Sequence, residues 1–191
     1  MVLRTIIIAL VITFNTYADV HNDALMFIKS YEGMLSTPKK DISKCVDMKV
    51  VGYSTTVEFA RKKGWRGSRM TEEEAARIAR AKIKENEFRL SSIIPRIANF
   101  PKGIAVAIHS AYYNSPALLG PKFTKFINRG DIDKASRELA WGHDPREFDG
   151  LVKRRFAEAN LMRTAAKLQP LYTPSSVNEF AQLKKENYPI L

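Results

Sequence analysis

Apolar and polar residues follow three rhythms along this chain, and each predicts a different element. The first is a block. MVLR, with one positive charge, leads into the ten-residue apolar run TIIIALVITF, and NTYA ends it on a small residue. Basic start, apolar run and small residue together predict an export signal over residues 1–18, cleaved after Ala18. The run is short for a spanning helix, and an uncleaved or later released anchor stays open.

The second rhythm is helical. In NDALMFIKSYEG, Leu25, Phe27 and Ile28 turn inward on a short helix that Asn22 or Asp23 can cap. Gly33 stops it, free to take a left-handed conformation. Residues 34–69 break the period with prolines, glycines and lysines. VVGYSTTVEF, β-branched and aromatic, predicts a small irregular β region. The helical period returns in MTEEEAARIARAKIKENEFRLSSII. Thr71 with Glu74 makes a capping box, and Ile78, Ile83, Phe88 and Leu90 recur at helical spacing. No Gly or Pro intervenes before Pro95, so the helix exceeds 20 residues. A helix that long in a chain of this size connects two lobes.

The third rhythm is a series of short helices. KGIAVAIHSAYYN is apolar nearly all round and predicts a buried central helix. KFTKFINRG ends at Gly130, DIDKASRELAWG runs from an Asp131 cap to Gly142, and FDGLVKRRFAEANLM starts near Asp149. After Pro170 the chain turns polar, and Pro174 and Pro189 bracket one weaker helix, SVNEFAQLKKEN. Residues 170–191 therefore read as an extension of a domain over 19–169, and no internal repeat is present.

Composition narrows the partners. A chain of 191 residues can bury a real core as one domain. Its formal net charge of +11 favours anionic partners: nucleic acid, anionic lipid, or an acidic polymer such as a cell wall. The export pattern and the lack of an aromatic-basic module argue against nucleic acid. Cys45 is the only cysteine, so no internal disulfide forms, and no histidine has a cysteine or second histidine nearby. Neither a metal nor a cofactor is expected. His109, inside an apolar run, reads as a core or groove histidine.

Candidate chemistry sits in YEGMLSTPKKD. Glu32 falls in the last turn of its helix, the unfavourable end of the dipole for a negative charge. That biases it towards the protonated form, as a general acid requires, and burial would add to the bias. Asp41 follows nine residues later as a second carboxylate. Taken alone, the same stretch also reads as a solvated helix end and a polar loop.

The order of the pieces resembles the phage-type lysozymes, the muramidase family of phage endolysins, from about Asn22 to Met162. Glu32-Gly33 followed by Asp41 matches the family's Glu-Gly and its Asp nine residues on. Gly52-Tyr53 matches its Thr-x-Gly-Tyr-Gly stretch, and Thr71-Glu72-Glu73-Glu74-Ala75 its next helix start. Tyr113-Asn114, the KFTKFINRGD segment, Trp141, and Gly150-Leu151 with Arg154-Arg155 and Glu158 follow in the family's order.

The resemblance implies an α+β lysozyme fold: mostly helical, a small N-terminal β-containing lobe, a long helix, and a helical C-terminal lobe, with substrate between the lobes. It implies hydrolysis of peptidoglycan at the β-1,4 bond between N-acetylmuramic acid and N-acetylglucosamine. Glu32 would be the acid and Asp41 would hold or activate the attacking water, in the inverting style and without a cofactor. A monomer acting in the periplasm or outside the cell is expected, touching a membrane only through its N-terminal segment; if phage-encoded, it would act in the host periplasm.

One family feature is displaced. The Thr expected six residues after Asp41 is Asp47, and counting back from Gly52-Tyr53 puts it at Val50. The family's Gly-Tyr-Gly has become Gly52-Tyr53-Ser54, followed by Thr55 and Thr56. Asp47, Thr55 or Thr56 can take the missing part. If none does, the alternative is a catalytically weakened lysozyme-like protein that binds the cell wall. Cys45 stands thirteen residues from Glu32, not nine, and takes no catalytic role. Arg154 and Arg155 either orient Glu32 or are surface charges. Tyr113 and Asn114 either line the groove or, for Tyr113, belong to the core, where Trp141 is also expected.

Overall fold

The computed structural model describes residues 19–40, 48–142 and 149–187. Residues 1–18, predicted as an export signal, and residues Asp41, Cys45 and Asp47 lie outside the described residues. The chain divides after Glu85 into two compact units.

The first unit opens on helix α1, described over 19–31. Asn22 and Asp23 therefore lie inside it and do not cap it. Val20, Ala24, Leu25 and Ile28 form its buried stripe, spaced as one face of a 3.6-residue helix requires. Helical bonding extends one residue further, where the Glu32 N–H meets the Ile28 carbonyl at 2.8 Å. Gly33 then leaves the helix without the expected left-handed turn; the positive-φ glycines described are Gly52, Gly64 and Gly130. The chain straightens instead, entering strand β1 at Leu35.

Strands β1 (Leu35–Lys40), β2 (Lys49–Gly52) and β3 (Thr55–Thr56) form an antiparallel sheet in the order β1-β2-β3. Val50 and Val51 on the central strand are buried. Pro38, which lacks an N–H, is tolerated because β1 is an edge strand. The β character of VVGYSTTVEF stops earlier than its composition predicts: Val57–Lys62 is a short helix, α2. The cause is local. The Thr56 hydroxyl accepts from the Phe59 N–H at 3.2 Å as an N-cap, and Glu58 follows in the first turn, where the helix dipole favours it.

Helix α3 (Glu72–Ile93) has 22 residues, where its pattern predicts more than 20. Its capping box is formed: the Thr71 N–H reaches Glu74 Oε2 at 2.8 Å, and the Glu74 N–H reaches Thr71 Oγ1 at 3.2 Å. Ile78, Ile83 and Leu90 are buried, but Phe88 is 85% exposed. Leu90 is seven residues from Ile83 and shares its face; Phe88, five residues away, falls well round the helix. The division after Glu85 passes through α3, which contributes to both units.

The second unit is helical: α4 (Lys102–Asn114), α5 (Pro121–Asn128), α6 (Ile132–Trp141), α7 (Asp149–Ala165) and α8 (Val177–Asn187). Every residue of α4 from Ile104 to Tyr113 is buried, as the apolar run predicts. Helix α7 packs along it, and Gly103 permits the approach: a Cβ there would stand 2.9 Å from Ala165 Cβ and 3.2 Å from the Leu161 carbonyl oxygen. Asp131 caps α6, accepting from the Lys134 N–H at 3.1 Å.

A second cluster forms at the other end of this unit. Trp141 lies edge-on to Phe156 with ring centres 4.6 Å apart, and Phe180 of α8 stacks on Trp141 at 5.3 Å. The segment leading into α8 is pinned to α7. Asn160 donates to the Leu171 carbonyl at 3.0 Å and accepts from the Leu171 N–H at 2.6 Å. Among the described residues no helix is long and apolar enough to cross a membrane.

Candidate active site

Glu32 stands half-buried at the C-terminal end of α1. The apolar stripe of α1 is buried, so the helix end, and Glu32 with it, has a defined place. The hairpin between β2 and β3 reaches the same point: the Ser54 hydroxyl donates to Glu32 Oε2. Gly52 and Ser54 in this turn have φ of +63° and +50°. At Gly52 glycine is required twice over, because a Cβ would also press to 2.9 Å from Met70 Sδ.

A charged tie lies beside this contact. Lys29 Nζ bonds Glu72 Oε1 at 2.7 Å, the Tyr53 hydroxyl donates to the same oxygen at 3.2 Å, and Lys29 stands 5.4 Å from the centre of the Tyr53 ring. It links α1, the hairpin and the start of α3. The Lys29 bond, and then the Tyr53 bond, hold Glu72 below its ordinary carboxylate range. Glu72 in turn raises Lys29, and burial raises Tyr53. The tie therefore persists at neutral pH and weakens as pH falls through the lowered Glu72 range or rises through the raised Lys29 range.

Of the residues that could replace the displaced threonine, Thr55 is buried on β3 and Thr56 uses its hydroxyl to cap α2. Asp47, like Asp41, lies outside the described residues. Ser54 was not among the candidates. The Ser that replaces glycine in Gly-Tyr-Gly was its visible signal, but the residue that it meets is 22 positions away.

The second unit holds a separate polar cluster between α4 and α7. Glu158 is fully buried. Arg155 Nη2 donates to Oε1 at 2.9 Å, and its Nη1 stands 2.8 Å from Oε2 as an ion pair. Arg154 Nε and the Ser110 hydroxyl reach Oε1 at 3.1 and 2.6 Å. Arg154 and Arg155, 3% and 1% exposed, are therefore not surface charges. Tyr113 and Trp141 are buried; Asn114 is half-buried at the end of α4. Among the described residues no group of three His, Cys, Asp or Glu side chains could hold a metal ion.

A glutamate at the end of the helix entering a small antiparallel sheet, with a long capped helix and a helical unit to follow, defines a lysozyme-like α+β protein. The phage lysozyme family profile matches residues 29–158, more than half of the chain and including Glu32. The chain belongs to the phage lysozyme family. A lysozyme is a glycoside hydrolase of the bacterial wall. Solved structures share the fold, among them the following two. The muramidase domain of SpmX from Asticaccaulis excentricus is 20% identical with a TM-score of 0.54, the match covering 73% of this chain and 93% of that one. The active form of the P1 phage endolysin Lyz is 18% identical with a TM-score of 0.60, over 81% and 94% of the two chains. No curated protein sequence matches the chain.

Proposed function

We propose that this protein is a muramidase that lyses bacterial cells by cutting peptidoglycan between N-acetylmuramic acid and N-acetylglucosamine. Glu32 is the general acid and Asp41 holds the attacking water. The observation that carries this reading is Glu32 itself. The family match spans it, and it is a half-buried carboxyl at a helix C-terminus, where helix dipole and burial both disfavour its charge. A carboxyl kept protonated can donate to the glycosidic oxygen as the bond breaks. In the inverting style the second carboxylate stands roughly 6.5–9.5 Å away and activates a water on the opposite face of the sugar.

The chain acts as a monomer and without a cofactor. Residues 1–18 direct export, so the wall is met from the periplasm or from outside the cell. The net charge of +11 draws it to the anionic wall.

The test is clearance of purified peptidoglycan. Glu32→Gln keeps the shape and removes the proton donor, so the rate should fall about 100-fold or more while the circular dichroism spectrum is unchanged. In the same assay Asp41→Asn should abolish lysis and Asp47→Asn should barely alter it. Full activity in Glu32→Gln or Asp41→Asn overturns the corresponding role. Proton NMR of the first product reads the anomer, and retention of configuration would exclude the inverting route.

A further inference from the structure

We propose that Ser54 is a positioning residue for the acid: the β2–β3 turn holds its hydroxyl against the Glu32 carboxyl, fixing that group's orientation and its hold on the proton. This rests on reading Glu32 as the general acid.

Three observations carry it. The first is the contact itself, a hydroxyl donating to Oε2 of a half-buried glutamate from a different element. The second is conformational. Ser54 sits at φ +50°, a region that costs a residue with a Cβ and that glycine enters freely. Two residues earlier the chain uses glycine at φ +63°, where a Cβ would also collide. At position 54 it accepts the strained backbone and gains a hydroxyl aimed at Glu32.

The third is the support around the contact. Glu32 and Lys29 lie one turn apart on α1, and Ser54 and Tyr53 are neighbours on the hairpin. Lys29 and Tyr53 both bond Glu72 Oε1 at the start of α3, so both sides of the Ser54–Glu32 contact are anchored to one carboxylate. Lys29, Tyr53, Glu72 and Tyr31 are charged or titratable groups on these elements, and a change at Ser54 removes none of them.

The chemistry suits a general acid. A serine hydroxyl donates to an ionised carboxylate and accepts from a protonated carboxyl. It can therefore follow Glu32 through both protonation states without the side chain turning. In the ionised state its donation stabilises the charge and lowers the proton affinity. The hydroxyl thus offsets part of the upward push from burial and the helix end, keeping the acid able to give up its proton.

The experiment uses Ser54→Gly and Ser54→Ala in the full chain, with two readouts. Carbon NMR of the side-chain carboxyl follows Glu32 titration directly, and peptidoglycan clearance against pH gives the activity limbs. Both variants should raise the Glu32 midpoint, and the alkaline limb of activity with it, by about one pH unit. Ser54→Gly, relieved of the left-handed strain, should melt no lower than wild type, which separates the shift from damage to the fold. An unchanged Glu32 midpoint in both variants overturns the proposal, as does a shift seen only in a variant that has lost thermal stability. The carboxyl titration reads the contact whether or not the protein lyses walls. Full lysis by Glu32→Gln would instead overturn the reading of the acid.

Discussion

Glu158 shows how much one side chain can hold in place. Its carboxylate lies between two buried guanidinium groups and also accepts from Ser110. Glu158→Gln preserves the volume and one acceptor but leaves both arginines without that negative charge in a site that water does not reach. Breaking a buried ion pair in this way costs about 3–5 kcal/mol. Urea denaturation at neutral pH should show the loss as a lower midpoint with an unchanged slope. The sequence left Arg154 and Arg155 undecided because charge alone says nothing of burial; the i,i+4 and i,i+3 spacings to Glu158 matter only once α7 is packed. Glu32 was legible for the opposite reason: its helix end and the following glycine are local signals. Ser54 was not, because its role depends on a backbone angle and a partner 22 residues away.

Elements were readable where their ends carry chemistry. Helix α3 begins at a Thr-x-x-Glu box and α6 at an aspartate cap, and both form where expected. Helix α2 is hidden in the sequence because β-branched and aromatic residues outweigh a single capping threonine. Phe88 is grouped with Ile78, Ile83 and Leu90 by its spacing, but its angular position turns it to solvent. Helix α8 read as weak from its polar composition, yet Phe180 is only 4% exposed. Its ring closes the cluster of Trp141 and Phe156, and the Val177 N–H bonds Asp149 Oδ1 at 2.7 Å, tying the helix start to α7. Phe180→Ala should therefore lower stability by about 3 kcal/mol. On heating, its tryptophan emission should also shift to the red less cooperatively than in wild type, as α8 frays before the rest and Trp141 meets water. A melting curve that overlays wild type would mean that α8 adds nothing to the core.

At the scale of the whole molecule, the chain predicts its own processing. The basic start, the apolar run and Ala18 predict a mature N-terminus at Asp19. N-terminal sequencing of protein recovered from the periplasm or the medium should read Asp-Val-His; intact Met1 on membrane-bound protein would show an anchor instead. Cleavage removes one basic residue, Arg4, so the mature protein stays strongly cationic. The other end of the chain has a practical consequence. The family match stops at residue 158, whereas the aromatic cluster is completed by Phe180. An engineer trimming the protein to the matched span would cut through α7 itself and discard the ring that shields Trp141. The shortest chain worth expressing runs through α8, and any fused tag belongs after it.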